Sequence, residues 1–254
     1  MLTTSLPKIP VRNFLRTVLF LVLSIFYSQH ALAAEQQSSD APQLAIINMD
    51  NAQFTKGFED MKDLLNAAEF DPNKVRILGT PDAPLTLWDI SAYSCPHCAN
   101  FHKDALPEIF NKYIETGKLR VAFMNTAFDE LTAYFTAATY ATQNMEQFLA
   151  LTNMIYADQN KWYSQNYQAE LNRMLAANGI SQEQLTKTLE SESLNKNLPR
   201  IFEYISEGLQ IKGTPHFILT KTGDAPEQSI GFVEGNDKKA VLDLIEKGLT
   251  QTAK

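Results

Sequence analysis

The chain has 254 residues, 44% apolar and 20% charged, with a net charge of −7. That balance suits a globular core rather than disorder. No basic stripe with interleaved aromatics is present, which speaks against nucleic acid as a partner. The two cysteines both sit in Cys95-Pro96-His97-Cys98, too few and too close for a disulfide-stapled scaffold.

Residues 1–33 read as a secretory signal peptide. Lys8, Arg12 and Arg16 precede the apolar run 18–27, and Ala31-Leu32-Ala33 has the small-x-small cleavage pattern. The run is too short for a membrane span, which needs about 20 residues. Cleavage after Ala33 removes three cations and no acid, so the mature chain is soluble and more acidic still. No cysteine follows closely enough for a lipid anchor at the cut.

Residues 34–44 read as a flexible lead. Phe54, Phe58, Met61, Leu65 and Ala68 recur at helical spacing and predict one amphipathic helix over 51–70. Residues 75–78 suit a short edge strand and 79–82 a turn. The segment 85–90 is apolar on both alternating faces apart from Thr86 and Asp89, the pattern of a central strand buried on both sides. A helical pattern starts at Pro96, with a kink expected at Pro107 and a cap at Gly117. A strand over 119–123 completes β-α-β. Residues 129–208 look entirely helical, broken at Asn178-Gly179. Strands follow at 217–219 and 230–233, then a helix from about Asp237.

The chemistry concentrates where the central strand ends. Pro96 suits the first helical position, so Cys95 meets the free N–H groups and positive dipole end of the helix. A thiolate is the anion favoured there, and such cysteines can titrate as low as roughly 3.5–7.5. His97 can add an N–H or a positive charge. Cys98, one turn on, is expected to be buried and to resolve. Stabilising the thiolate stabilises the dithiol and makes the disulfide the stronger oxidant. Asp89, on the strand face shared with Leu85 and Leu87, is read as a buried acid relaying a proton to or from Cys98. A zinc site would need four ligands, and the other histidines of the mature chain, His102 and His216, lack ligand spacing. A three-ligand site with His97 and His102 is the metal alternative. In Gly213-Thr214-Pro215, ordinary trans entry into a strand is what the residues alone suggest.

Cys-Pro-His-Cys after a buried strand, an acid six residues upstream and a late Gly-Thr-Pro resemble the DsbA family of thioredoxin-fold oxidoreductases. The resemblance covers residues 75–249 and leaves 51–70 outside. It implies an α/β thioredoxin fold with an inserted all-helical domain, here preceded by an N-terminal helix. The expected division is 1–33 signal peptide, 34–74 extension, 75–128 with 207–254 thioredoxin-like domain, and 129–206 insertion. The family's nucleophile maps onto Cys95, its resolving cysteine onto Cys98, its dipeptide onto Pro96 and His97, and its buried acid onto Asp89. Its cis-proline maps onto Pro215, with Thr214 presenting backbone to substrate. Asp replaces the commoner Glu, and Thr precedes the proline where Val is common. Threonine there is shared with isomerase relatives.

The implied activity is introduction of disulfides into reduced or misfolded exported proteins in the periplasm, by exchange with Cys95–Cys98. A DsbB-like membrane protein would reoxidise it, and no cofactor or metal is expected. One alternative is a disulfide isomerase or reductase kept in the dithiol form, with the 51–70 helix as a dimerisation arm rather than packed on its own domain. Another is a periplasmic metal- or peptide-binding module.

Overall fold

A computed structural model describes residues 76–163 and 166–252. The signal peptide, the 34–74 extension and the helix predicted over 51–70 lie outside the described residues.

The elements in chain order are β1 (Arg76–Leu78), β2 (Leu85–Ala92), α1 (Pro96–Asp104), α2 (Leu106–Ile109) and β3 (Leu119–Thr126). Then come α3 (Glu130–Thr139), α4 (Met145–Ala157), α5 (Gln159–Trp162), α6 (Tyr167–Ala177), α7 (Gln182–Leu189) and α8 (Glu192–Glu203). The chain returns to strand in β4 (His216–Lys221) and β5 (Gly231–Glu234) and closes with α9 (Lys238–Thr252). Both α2 and α8 run on into one wider π-type turn, Phe110–Ile114 and Tyr204–Gly208.

Among the described residues the strands form one five-stranded sheet in the order β1-β3-β2-β4-β5. Only β2 and β3 pair in parallel. The β2 strand lies in the middle, as its unbroken apolar run requires. One face, carrying Leu85, Leu87, Val121 and Phe217, packs against Phe101 and Ile109 of α1–α2 and Val241 and Ile245 of α9. The other, carrying Ile90, Met124 and Ile218, packs against Ile205 and Ile211. A third cluster, around Phe135, Leu151, Trp162 and Leu171, is the core of the helical block, and it includes Tyr93 and Cys98. The block's core and the cysteine motif are therefore one packing unit.

Local signals explain the element ends. Pro107 has no N–H to continue the α1 ladder, and α1 stops at Asp104 before the chain restarts as α2. Gly117 ends that helical stretch at φ 70°, a left-handed value that glycine adopts without strain. Gly79, at φ 119°, lets β1 turn back beside β3, where a Cβ would lie 2.9 Å from the Arg120 Cα. The helical block starts α3, α4, α7 and α8 with oxygen caps: Asp129, Asn144, Ser181 and Ser191 each accept an N–H from the first turn that follows. Among the described residues no helix is long and apolar enough to cross a membrane.

Candidate active site

The site lies where β2 ends and α1 begins. Cys95 is the N-cap of α1, with extended backbone (φ −86°, ψ 115°) and Pro96 behind it in the first turn. The Cys95 sulfur accepts the Cys98 N–H at 3.2 Å, and its thiol donates to the Thr214 carbonyl at 3.3 Å. Cys95 is half-buried, Cys98 is fully buried, and both are free thiols. Donors converge on Cys95: first the Cys98 thiol, then the Thr214 hydroxyl and the N–H groups of Cys98 and His97. Together they outweigh its burial and bring its pKa down from 9.0 to about 6. The opposite holds for Cys98. Burial, and then the neighbouring Cys95 sulfur, push its thiol far up.

The His97 side chain is exposed. Its contribution to Cys95 is the backbone N–H at the helix start. Pro96 is exposed too, and its part is conformational. The Thr214–Pro215 bond is cis, and this loop meets Cys95 across the sheet end. Beside it opens a cavity of about 620 Å³, lined in part by Thr214, Pro215, His216, Phe232 and Glu234. Phe232 is largely exposed and stacks on His216 at 5.4 Å. A separate cavity of about 640 Å³ against Trp88, Arg120 and Tyr204 includes neither cysteine.

Asp89 is buried on β2, opposite Phe123 and Phe217 in register. Its Oδ1 accepts from the Ser91 hydroxyl. Its Oδ2 lies 2.8 Å from Nε2 of His102, at ion-pair distance but off the line of a hydrogen bond. His102 sits on α1 one turn after Cys98, also buried, with the Tyr156 ring 4.6 Å away. The sequence offered His102 only as a metal ligand. Its position at i+4 from Cys98 was the available signal, but nothing local ties it to Asp89. Among the described residues no three His, Cys, Asp or Glu side chains gather as a metal-ligand set.

The helical block supplies two groups with no sequence signal at all. Gln159 donates from its Nε2 to the carbonyls of Tyr93, at 2.7 Å, and Cys95, at 3.0 Å. Tyr156, fully buried, places its ring against Tyr93 at 5.1 Å. Burial, and then the nearby Cys98 and Asp89, push the Tyr156 hydroxyl's pKa up.

A central parallel pair, a Cys-x-x-C capping the helix between them and a cis-proline loop facing the first sulfur define a thioredoxin-fold protein, here with a helical block between β3 and β4. The family model described as "Thioredoxin" matches residues 71–227, more than half of the chain. The chain belongs to the thioredoxin family, and its fold is of the DsbA type. It superposes on alpha-DsbA1 of Wolbachia pipientis with a TM-score of 0.64 at 20% identity, covering 70% of this chain and 92% of that one. For oxidised BdbD of Bacillus subtilis the TM-score is 0.56 at 20% identity, covering 68% and 92%. A provisionally named protein-disulfide oxidoreductase of Rickettsia conorii is 29% identical over 176 residues, 67% of this chain. The chain spans 62% of the length of that relative.

Proposed function

We propose that this protein is an exported thiol–disulfide oxidoreductase that introduces disulfides into substrate proteins. The observation that carries the reading is the asymmetry of the two sulfurs: Cys95 is half-exposed and held near pKa 6, while Cys98 is buried and protonated. A substrate thiolate attacks Cys95 of the Cys95–Cys98 disulfide. The Cys95–Cys98 bond breaks, a mixed disulfide forms, and Cys98 takes up the electron pair and a proton. A second substrate thiolate then attacks the substrate sulfur and releases Cys95 as thiolate. Stabilising that thiolate favours the dithiol product and drives net oxidation. In this reading Asp89 exchanges the proton with Cys98, while Thr214 and Pro215 line the approach of the substrate chain, with Pro96 and His97 shaping the helix start.

We assign 1–33 to a signal peptide, 75–128 with 207–254 to the thioredoxin-like domain and 129–206 to the insertion. The substrates are reduced or misfolded exported proteins, and a DsbB-like membrane protein returns the dithiol to the disulfide. The Rickettsia conorii relative's name supports disulfide exchange, and the leader-like residues 1–33 support a periplasmic site. Cys95→Ser is expected to reduce oxidation of a dithiol peptide to the uncatalysed rate. Unchanged oxidation in that variant sinks the reading.

Thr214 favours a second reading, a disulfide isomerase or reductase kept in the dithiol form. Refolding of a scrambled multi-disulfide substrate separates the two. An isomerase restores native pairing faster as the dithiol, and an oxidase acts only as the disulfide.

A further inference from the structure

Four polar atoms in one buried spot have no hydrogen-bond partner: Asp89 Oδ2, both ring nitrogens of His102 and the Tyr156 hydroxyl. Buried polar groups are ordinarily paired, so several unpaired ones in one place call for an explanation. These atoms lie on the elements that pack about the buried second sulfur, β2, α1 and α4. Cys98 is fully buried, His102 follows it by one turn on the same helix, and Tyr156 feels the charge of both Cys98 and Asp89. Ser91 fixes one carboxylate oxygen of Asp89, and the other is left to His102 at 2.8 Å.

We propose that His102 and Tyr156 are positioning residues for the proton that Asp89 exchanges with Cys98, so that the Asp89–His102 pair holds one proton more in the disulfide form than in the dithiol. The proposal rests on the exchange reading of the cysteines. When a substrate thiolate opens the disulfide at Cys95, the electron pair of the broken bond goes to Cys98. A bare thiolate in that dry pocket is costly, and the proton leaves the Asp89–His102 pair for the Cys98 sulfur. On reoxidation Cys98 attacks as thiolate and its proton returns to the pair. The buried proton is conserved over the cycle and never has to cross to solvent. Tyr156, whose hydroxyl can rotate, aims its O–H dipole toward whichever of Asp89 or Cys98 carries the charge. The titratable groups facing His102 are Asp89 from β2 and Tyr156 from α4, and Tyr156 in turn faces Cys98 and Cys95 from the start of α1 and Tyr93 from the loop before it.

The experiment uses the full chain, reduced with dithiothreitol or oxidised chemically. The imidazole resonances of His102 are titrated in both forms. In the wild type the two titrations differ, and in Asp89→Asn the difference vanishes. Superimposable titrations in the wild type overturn the proposal. Single-turnover opening of the disulfide by a reduced dithiol peptide gives a second measure. His102→Gln is expected to slow opening by on the order of 10²-fold, the usual size of a proton-transfer contribution, and to flatten its pH profile. Tyr156→Phe slows it less. Alkylation of Cys95 keeps its midpoint pH in both variants, which separates a lost proton path from a collapsed loop. Wild-type rates and pH profiles in folded His102→Gln overturn the proposal. If the wild-type disulfide is opened by no dithiol peptide, the exchange reading fails, and the two His102 titrations still decide the proton inference.

Discussion

The helical block and the sheet half begin their helices with the same local device and use it for different ends. In the block, Asp129, Asn144, Ser181 and Ser191 each place an oxygen on the free N–H groups of a first turn. At α1 the capping atom is the sulfur of Cys95. An oxygen cap stabilises the helix. A sulfur cap lets the helix stabilise the anion in return, and the cost of exposing N–H groups at a helix start becomes a lowered thiol pKa. The donors that lower Cys95 come from Cys98, Thr214 and His97, all outside the block. The block contributes cover instead: Tyr156 over the buried thiol and Gln159 on the loop carbonyls.

If this division holds, damage to the block costs stability without moving the Cys95 titration. Trp162 is fully buried, stacks on Phe135 at 4.2 Å and donates its indole N–H to the Ile155 carbonyl at 2.7 Å. Trp162→Ala is expected to cost about 3–5 kcal/mol in urea unfolding, while the alkylation midpoint of the folded fraction stays at about 6. A displaced midpoint would mean the block tunes the thiolate.

The sheet half gives a pH effect through the thiol of Cys95. Cys95 has a folded pKa of about 6 against an ordinary 9.0. A lowered pKa adds stability that is complete above the unfolded value and lost as pH falls through the folded one. The reduced protein should therefore gain stability relative to Cys95→Ser as pH rises from about 6 to 9. The gain falls short of the full shift, because Cys95 is partly exposed to solvent. Parallel unfolding curves of the two proteins across that range would remove the claim.

The smallest effect tests the oxygen caps. Asp129 accepts both the N–H and the hydroxyl of Thr132 at 2.8 Å, and the Tyr163 hydroxyl at 3.0 Å. Asp129→Ala should cost about 1–2 kcal/mol and leave Cys95 alkylation unchanged at every pH.

What could be read from the sequence follows how local each signal is. The buried run of β2, Pro96 at the helix start and the break at Pro107 are decided within a few residues, and the observed elements follow them closely. Strand β3 runs on to Thr126, past the predicted 123, because its pairing with β2 continues to Ala92. The partner of Asp89 was not legible. His102 and Asp89 meet only because α1 lies across the sheet face that carries Asp89, and their residue types alone suggested a metal ligand and a lone acid. Gln159 and Tyr156 were further out of reach. They arrive from a separate helical segment by tertiary packing, and a glutamine or tyrosine in an amphipathic helix carries no local mark of what it will cover.

The depth difference between the two sulfurs has a practical consequence. A membrane-impermeant-sized thiol reagent meets one sulfur in the native dithiol, Cys95, and finds Cys98 sealed under Tyr93 and Tyr156. The sealed sulfur becomes available only when the packing around it opens. The number of labels taken up per molecule thus counts open molecules directly, so the Cys95–Cys98 pair serves as a built-in gauge of the packing over Cys98.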